Sequence, residues 1–175
     1  MIDPHLHHVP RLGRYPSRFR LAGTPVATVM LGSFLTALPV IAQTAILPPF
    51  GLLILLSWRL LRPELWRAWI GLPLGLFDDM MSGQPIGSAM FLWTVALIGI
   101  DWIEHRMVWR SYRQDWLIAA LAIIFCISGG LFFARITGGG SVRFILVTPQ
   151  IVWTILLFPF VVRQCARIDR WRVMA

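Results

Sequence analysis

The sequence contains no lysine, and all sixteen of its basic residues are arginines. We read this as base composition and draw no function from it. Charge as a whole is scarce: 14% of the 175 residues are charged, too few to cover the surface of a soluble domain. These charges are gathered into short clusters between long uncharged runs, so water is not the main solvent of the chain. Cysteine is scarce too. Cys126 lies inside an apolar run and Cys165 beside Arg163 and Arg167, which fits small core or interface residues and neither a disulfide framework nor a zinc site. The net charge of +8 forms no basic stripe with interleaved aromatics, which excludes nucleic acid as the partner. Gly138-Gly139-Gly140-Ser141 follows no strand and precedes no GK[ST], so it reads as a turn and not a phosphate loop. His5, His7 and His8 stand in a polar leader without a fixed second shell, and His105 belongs to no HExxH, so neither a metal nor another cofactor is expected. No internal repeat is present.

What the sequence has in abundance is apolar residues, 57% of the chain, with a mean hydropathy of +0.70. Leu21 to Trp58 is 38 residues without a charge. One helix of that length would rise about 57 Å, nearly twice a ~30 Å hydrocarbon core, so it must fold back. Gln43, Thr44 and Pro48-Pro49 mark the turn of a two-span hairpin. A third, short, tilted or partly re-entrant span runs from Ala68 to Met81. Ile86 to Ile103, Trp116 to Ala134 and Phe144 to Val162 have ordinary spanning lengths. The expectation is an all-α integral membrane protein of six transmembrane helices over 21–162, with a basic leader (1–20) and a basic tail (163–175).

With both termini on one side, fourteen of the sixteen arginines share that side, all but Arg135 and Arg143, which makes it cytoplasmic by the positive-inside rule. Trp58, Trp66, Trp69, Trp102, Trp109, Trp116 and Trp171 fall at or beyond the same face, where indoles favour headgroups. Val40-Ile41-Ala42 resembles a signal-peptide cleavage site, but the leader and apolar run are too long for one and hydrophobic sequence resumes at once. The location implied is a bacterial inner membrane, crossed several times.

Two carboxylates interrupt an apolar helix at Asp78-Asp79. Each costs ~2.5 to 3.5 kcal/mol at a helix centre, so retaining both requires a partner or a wet location. Gly71, Gly75, Asp79, Gly83 and Gly87 are spaced by four and would share a face of a continuous helix that another helix can approach closely, although Pro73 and Pro85 limit that continuity. Three readings stand side by side: solvated acids near the outer headgroups, a buried polar anchor centred on Asp79, and a catalytic pair, for which no outer loop supplies a walled pocket. An anchor would pair Asp79 with Arg143 or Arg135, the two arginines on its side of the membrane. Asp101 and Glu104 are expected to pair with the arginine cluster at Arg106.

Trp58-Arg59-Leu60-Leu61-Arg62-Pro63, followed by Gly75-Leu76-Phe77-Asp78-Asp79-Met80-Met81-Ser82-Gly83 and Gly87, resembles the rod shape-determining protein MreD family, over nearly the whole chain in length and span order. The pattern Gly-Leu-x-x-Asp-x-x-x-Gly-x-x-x-Gly of that family aligns its aspartate with Asp79 and leaves Asp78 as an extra acid. The resemblance implies a non-enzymatic subunit of the cell-elongation machinery that works with MreC, a bitopic protein with a large periplasmic part. Through MreC it implies links to the MreB filament, the glycosyltransferase RodA and its partner transpeptidase, and so to peptidoglycan synthesis. It also implies an architecture similar to the substrate-binding subunits of energy-coupling-factor transporters, an analogy of fold and not of function. The residues fit a scaffold independently, because the outer loops are too short for an extracytoplasmic domain. The alternative is a small transporter subunit that binds a solute near Asp79; a partly polar cavity favours it, a filled bundle with a groove on its lipid face the scaffold.

Overall fold

A computed structural model describes residues 18–37, 47–106, 111–138 and 147–174. The described residues form six α-helices and no strand: α1 (Arg18–Ala37), α2 (Phe50–Leu61), α3 (Gly71–Ser82), α4 (Ser88–Arg106), α5 (Tyr112–Gly138) and α6 (Thr148–Met174). Two of them, α5 and α6, are long and apolar enough to cross a membrane. The short α2 and α3, twelve residues each, rise only about 18 Å.

Local sequence sets these boundaries. Pro49 stands at the N-cap of α2, where a missing N–H costs nothing, and its carbonyl accepts the first helical bond from Leu53 N–H at 3.1 Å. Pro63 stops the same helix, because the residue before a proline is driven out of the α region. Arg62 has left the helical region accordingly, with φ −139° and ψ 74°. Two 3₁₀ turns, Pro63–Leu65 and Ala68–Ile70, then lead into α3. The third apolar run therefore begins as a tight turn at Ala68 and becomes α-helical at Gly71. Gly83 ends α3 in the left-handed conformation (φ 66°), the usual device for closing a helix.

Helix α2 is the centre of the packing. Nine of its residues, Gly51 to Leu53 and Leu55 to Leu60, are buried, all of them apolar except Ser57 and Arg59, as befits a central helix. It packs against α1, α5 and α6, while α3 packs between α1 and α4, and α5 between α4 and α6. Along α6, Thr154, Phe158, Val161, Cys165, Asp169 and Arg172 recur every three or four residues as one buried stripe. The basic segment after Val162 thus continues as helix, and Asp169 and Arg172 turn into the protein.

Tryptophan divides into two groups. Trp69, Trp102, Trp116 and Trp171 are exposed, as a headgroup belt requires, whereas Trp58 and Trp66 are core residues. Trp58 Nε1 donates to Thr28 Oγ1 at 2.9 Å, so this indole ties α2 to α1. Trp109 lies outside the described residues.

Candidate functional sites at the two ends of the bundle

At one end meet the start of α2, the end of α3 and the start of α4. Asp79 is 1% exposed and accepts four hydrogen bonds there. Oδ1 accepts from Ser88 Oγ (2.9 Å) and Ala89 N–H (2.8 Å), and Oδ2 from Gly87 N–H (2.9 Å) and Met90 N–H (3.3 Å). A helix leaves its first N–H groups without internal partners, and here a carboxylate from the preceding helix satisfies them. Its negative charge also stands at the positive end of the α4 dipole. A carboxylate has about four lone-pair sites, so these donors fill its capacity. Of the two expected partners, Arg143 lies outside the described residues and Arg135 stands in the last turn of α5.

The glycines around Asp79 do different jobs. A Cβ on Gly75 would lie 2.6 Å from Met90 Cα and 2.7 Å from Met90 N, and one on Gly71 2.9 Å from Thr94 N. Both therefore serve the contact of α3 with α4 inside this chain. Gly83 and Gly87 have nothing within 4 Å of a Cβ but hold φ of +66° and +97°. The residues spaced by four do not share one helical face, because α3 ends at Ser82 and the chain turns through Gly83 and Gly87 before α4 begins.

Asp78 points elsewhere. It is half-buried and borders a cavity of about 320 Å³ between the helices, together with Gln84, Trp93, Gly130 and Gln150. A Cβ on Gly51 would run into both Ser33 Oγ and Asp78 Oδ1, so this glycine lets the two polar groups approach through the helix packing.

The other end carries a buried ionic network. Arg59 of α2, 3% exposed, reaches α4 with Nη2, which donates to Asp101 Oδ1 and, at 2.7 Å, to Glu104 Oε2. The two acids, expected with Arg106, are thus joined to a helix more than forty residues away, while Arg106 stacks over Trp102 at 4.4 Å. Asp169 of α6 receives Arg62 at 2.9 and 3.1 Å and Arg172 at 2.6 Å. The Arg172 guanidinium also lies 5.3 Å from the centre of the Trp58 ring. Sequence reasoning missed Asp169. The signal was present: an acid four residues after Cys165 and eight after Val161 falls on the apolar stripe of α6, where a charge needs a partner.

Between α1 and α6 runs a groove of about 710 Å³ floored by Phe50 and Ile54 of α2, with Leu31, Leu35, Leu157 and Phe160 on its walls. Among the described residues no group of three or more His, Cys, Asp or Glu gathers to hold a metal ion.

Comparison with known proteins adds one match. No curated protein and no solved structure matches the chain. The family model described as rod shape-determining protein MreD matches residues 18–167, which include both polar clusters save Arg172 and Asp169. By that match, which spans well over half of its length, the chain belongs to the MreD family of rod shape-determining membrane proteins.

Proposed function

We propose that the protein is a non-catalytic scaffold subunit of the bacterial cell-elongation machinery, which docks the single span of an MreC-like partner in the groove between α1 and α6. The groove carries this reading. It is about 710 Å³ in volume and almost wholly apolar, and it flanks a bundle whose central helix is buried along nearly all its length. Between apolar helices in lipid, shape-matched packing is what selects a partner, and a preformed groove supplies it. Family membership gives the chain its place in rod shape determination. The partner then links it to MreB, RodA and the associated transpeptidase, and so to peptidoglycan synthesis.

In this reading the chain lies in the inner membrane with six crossings and both termini in the cytoplasm. The distribution of fourteen of sixteen arginines supports that orientation, and it places the Arg59 network inside and Asp79 outside. Asp79 acts as the structural anchor of the outer end, fixing the start of α4. Gly71 and Gly75 serve the same anchor, and Gly83, Gly87 and Arg143 belong to the outer connections.

Co-purification from native membranes tests the docking. Leu31→Trp and Phe160→Trp, which narrow the groove, should lower partner recovery by at least about tenfold, equivalent to ~1.4 kcal/mol. Ile136→Trp, on an exposed position of α5 away from the groove, should leave recovery intact. Undiminished recovery with both groove substitutions present overturns the docking site.

A further inference from the structure

We propose that the cavity beside Asp78 is a binding site for a small primary ammonium group. The inference stands apart from the docking reading, because it uses a different face of the bundle. The cavity, about 320 Å³, lies at the low end of the range for ligand sites and is bordered by residues from α2, α3, α4, α5 and α6 and from the turn before α4. Its one charged group is a carboxylate, and the amides of Gln84 and Gln150 can accept through Oε1. Asp78 supplies a carboxylate that is not engaged in capping α4, since Asp79 does that. Gln150 donates one Nε2–H to Leu47 O at 2.7 Å, and its Oε1 is able to accept. Gln84 Oε1 lies 3.4 Å from where a Cβ on Gly130 would stand, so this carbonyl reaches the wall of the cavity beside α5.

No basic side chain lines the cavity among the described residues, while the Trp93 indole forms part of its wall. An ammonium group offers three donors and one positive charge, which matches one carboxylate, two amide oxygens and an aromatic wall. A divalent metal ion fits less well, because one carboxylate with two amides is a poor oxygen set for calcium or magnesium. The ligand chemistry has two sources, a free amine and the ethanolamine headgroup of a phospholipid.

The experiment measures thermal unfolding of the purified full chain by tryptophan fluorescence. In detergent micelles, n-butylammonium chloride is titrated against 1-butanol and sodium chloride. In a second arm, phosphatidylglycerol nanodiscs are compared with and without phosphatidylethanolamine. A saturable upward shift with butylammonium, absent with both controls, supports a site for free amines. A shift confined to the phosphatidylethanolamine nanodiscs supports the same site with the lipid headgroup as its ligand. In either case Asp78→Asn should weaken the apparent affinity by at least about tenfold. Should that variant not fold, Gln84→Leu at the cavity wall is expected to weaken it in the same direction. No shift in either arm overturns the proposal, as does an equal shift with sodium chloride or an undiminished response in the folded variant.

Discussion

Removing the Asp79 carboxylate is the sharpest test of how this bundle is held, because the same two oxygens satisfy four donors at the start of α4. In Asp79→Asn, one oxygen can still accept from Ser88 Oγ and Ala89 N–H. The other becomes an NH₂ group facing the N–H groups of Gly87 and Met90, donor against donor. Each buried donor left without an acceptor costs about 1 to 3 kcal/mol. Met90 N–H, at 3.3 Å, is the weaker of the two, and loss of the charge at the helix N-terminus adds up to ~2 kcal/mol. The expected loss is therefore about 2 to 4 kcal/mol for Asp79→Asn, and larger for Asp79→Ala, which strips all four donors and leaves a void. Reversible unfolding of the purified protein in mixed micelles measures both. A loss below about 0.5 kcal/mol for Asp79→Ala, the low end for an ordinary N-cap, would refute the capping argument.

The remaining predictions concern the glycines, the ionic network and the topology. Gly75→Leu should abolish the folded protein, because even a Cβ there meets the Met90 backbone at 2.6 Å; membrane yield and gel filtration check it. Gly83→Ala, with open space but φ of +66°, should cost about 1 to 2 kcal/mol in the same unfolding assay and leave the bundle assembled. Arg59→Met should destabilise by about 3 to 5 kcal/mol by leaving two acids without their cation, and the triple substitution with Asp101→Asn and Glu104→Gln should recover part of the loss. Alkaline phosphatase fused after Ala175 should be inactive, and a cytoplasmic reporter inserted at Gly139 should not fluoresce, if both termini lie inside.

Much of the helical order was legible because charge and proline punctuate the chain. Pro49, Pro63 and Gly83 stand at the element ends their chemistry demands. Hydropathy alone does not reveal how short α2 is, since the uncharged run passes through Pro48-Pro49, and it is the prolines at 49 and 63 that bound the helix. The spacing of Gly71, Gly75, Gly83 and Gly87 is real, yet its meaning changes halfway. The first two permit close helix contact and the last two permit positive φ, and a period of four looks the same for both. The partner of Asp79 was invisible for a different reason. Sequence names acids and bases, so it suggests ion pairs, whereas three of the four donors found here are backbone N–H groups, which every residue except proline carries.

The two polar clusters act on the same element. Asp79 meets α4 at its N-terminus, and Arg59 meets it in its last two turns through Asp101 and Glu104. Those two acids stand at the negative end of the α4 dipole, an unfavourable place that the buried guanidinium of Arg59 offsets along with their charge. Helix α4 is thus fixed at one end from α3 and at the other from α2. At the Arg59 end Asp169 extends the arrangement, joining α6 to Arg62 at the close of α2. Hydrogen bonds of this kind are directional and tolerate little sliding, so they set the register of α2, α3, α4 and α6. Along the groove between α1 and α6 the contact is apolar, with Leu31, Phe34, Leu35 and Phe160 exposed on its walls. Dispersion contacts can be exchanged for those of an incoming helix at little net cost, whereas breaking a buried charge pair costs several kcal/mol. On the proposed docking reading, a helix added at the groove would leave the bonds that hold α4 to α2 and α3 in place, because none of Arg59, Asp79, Asp101 and Glu104 lines it.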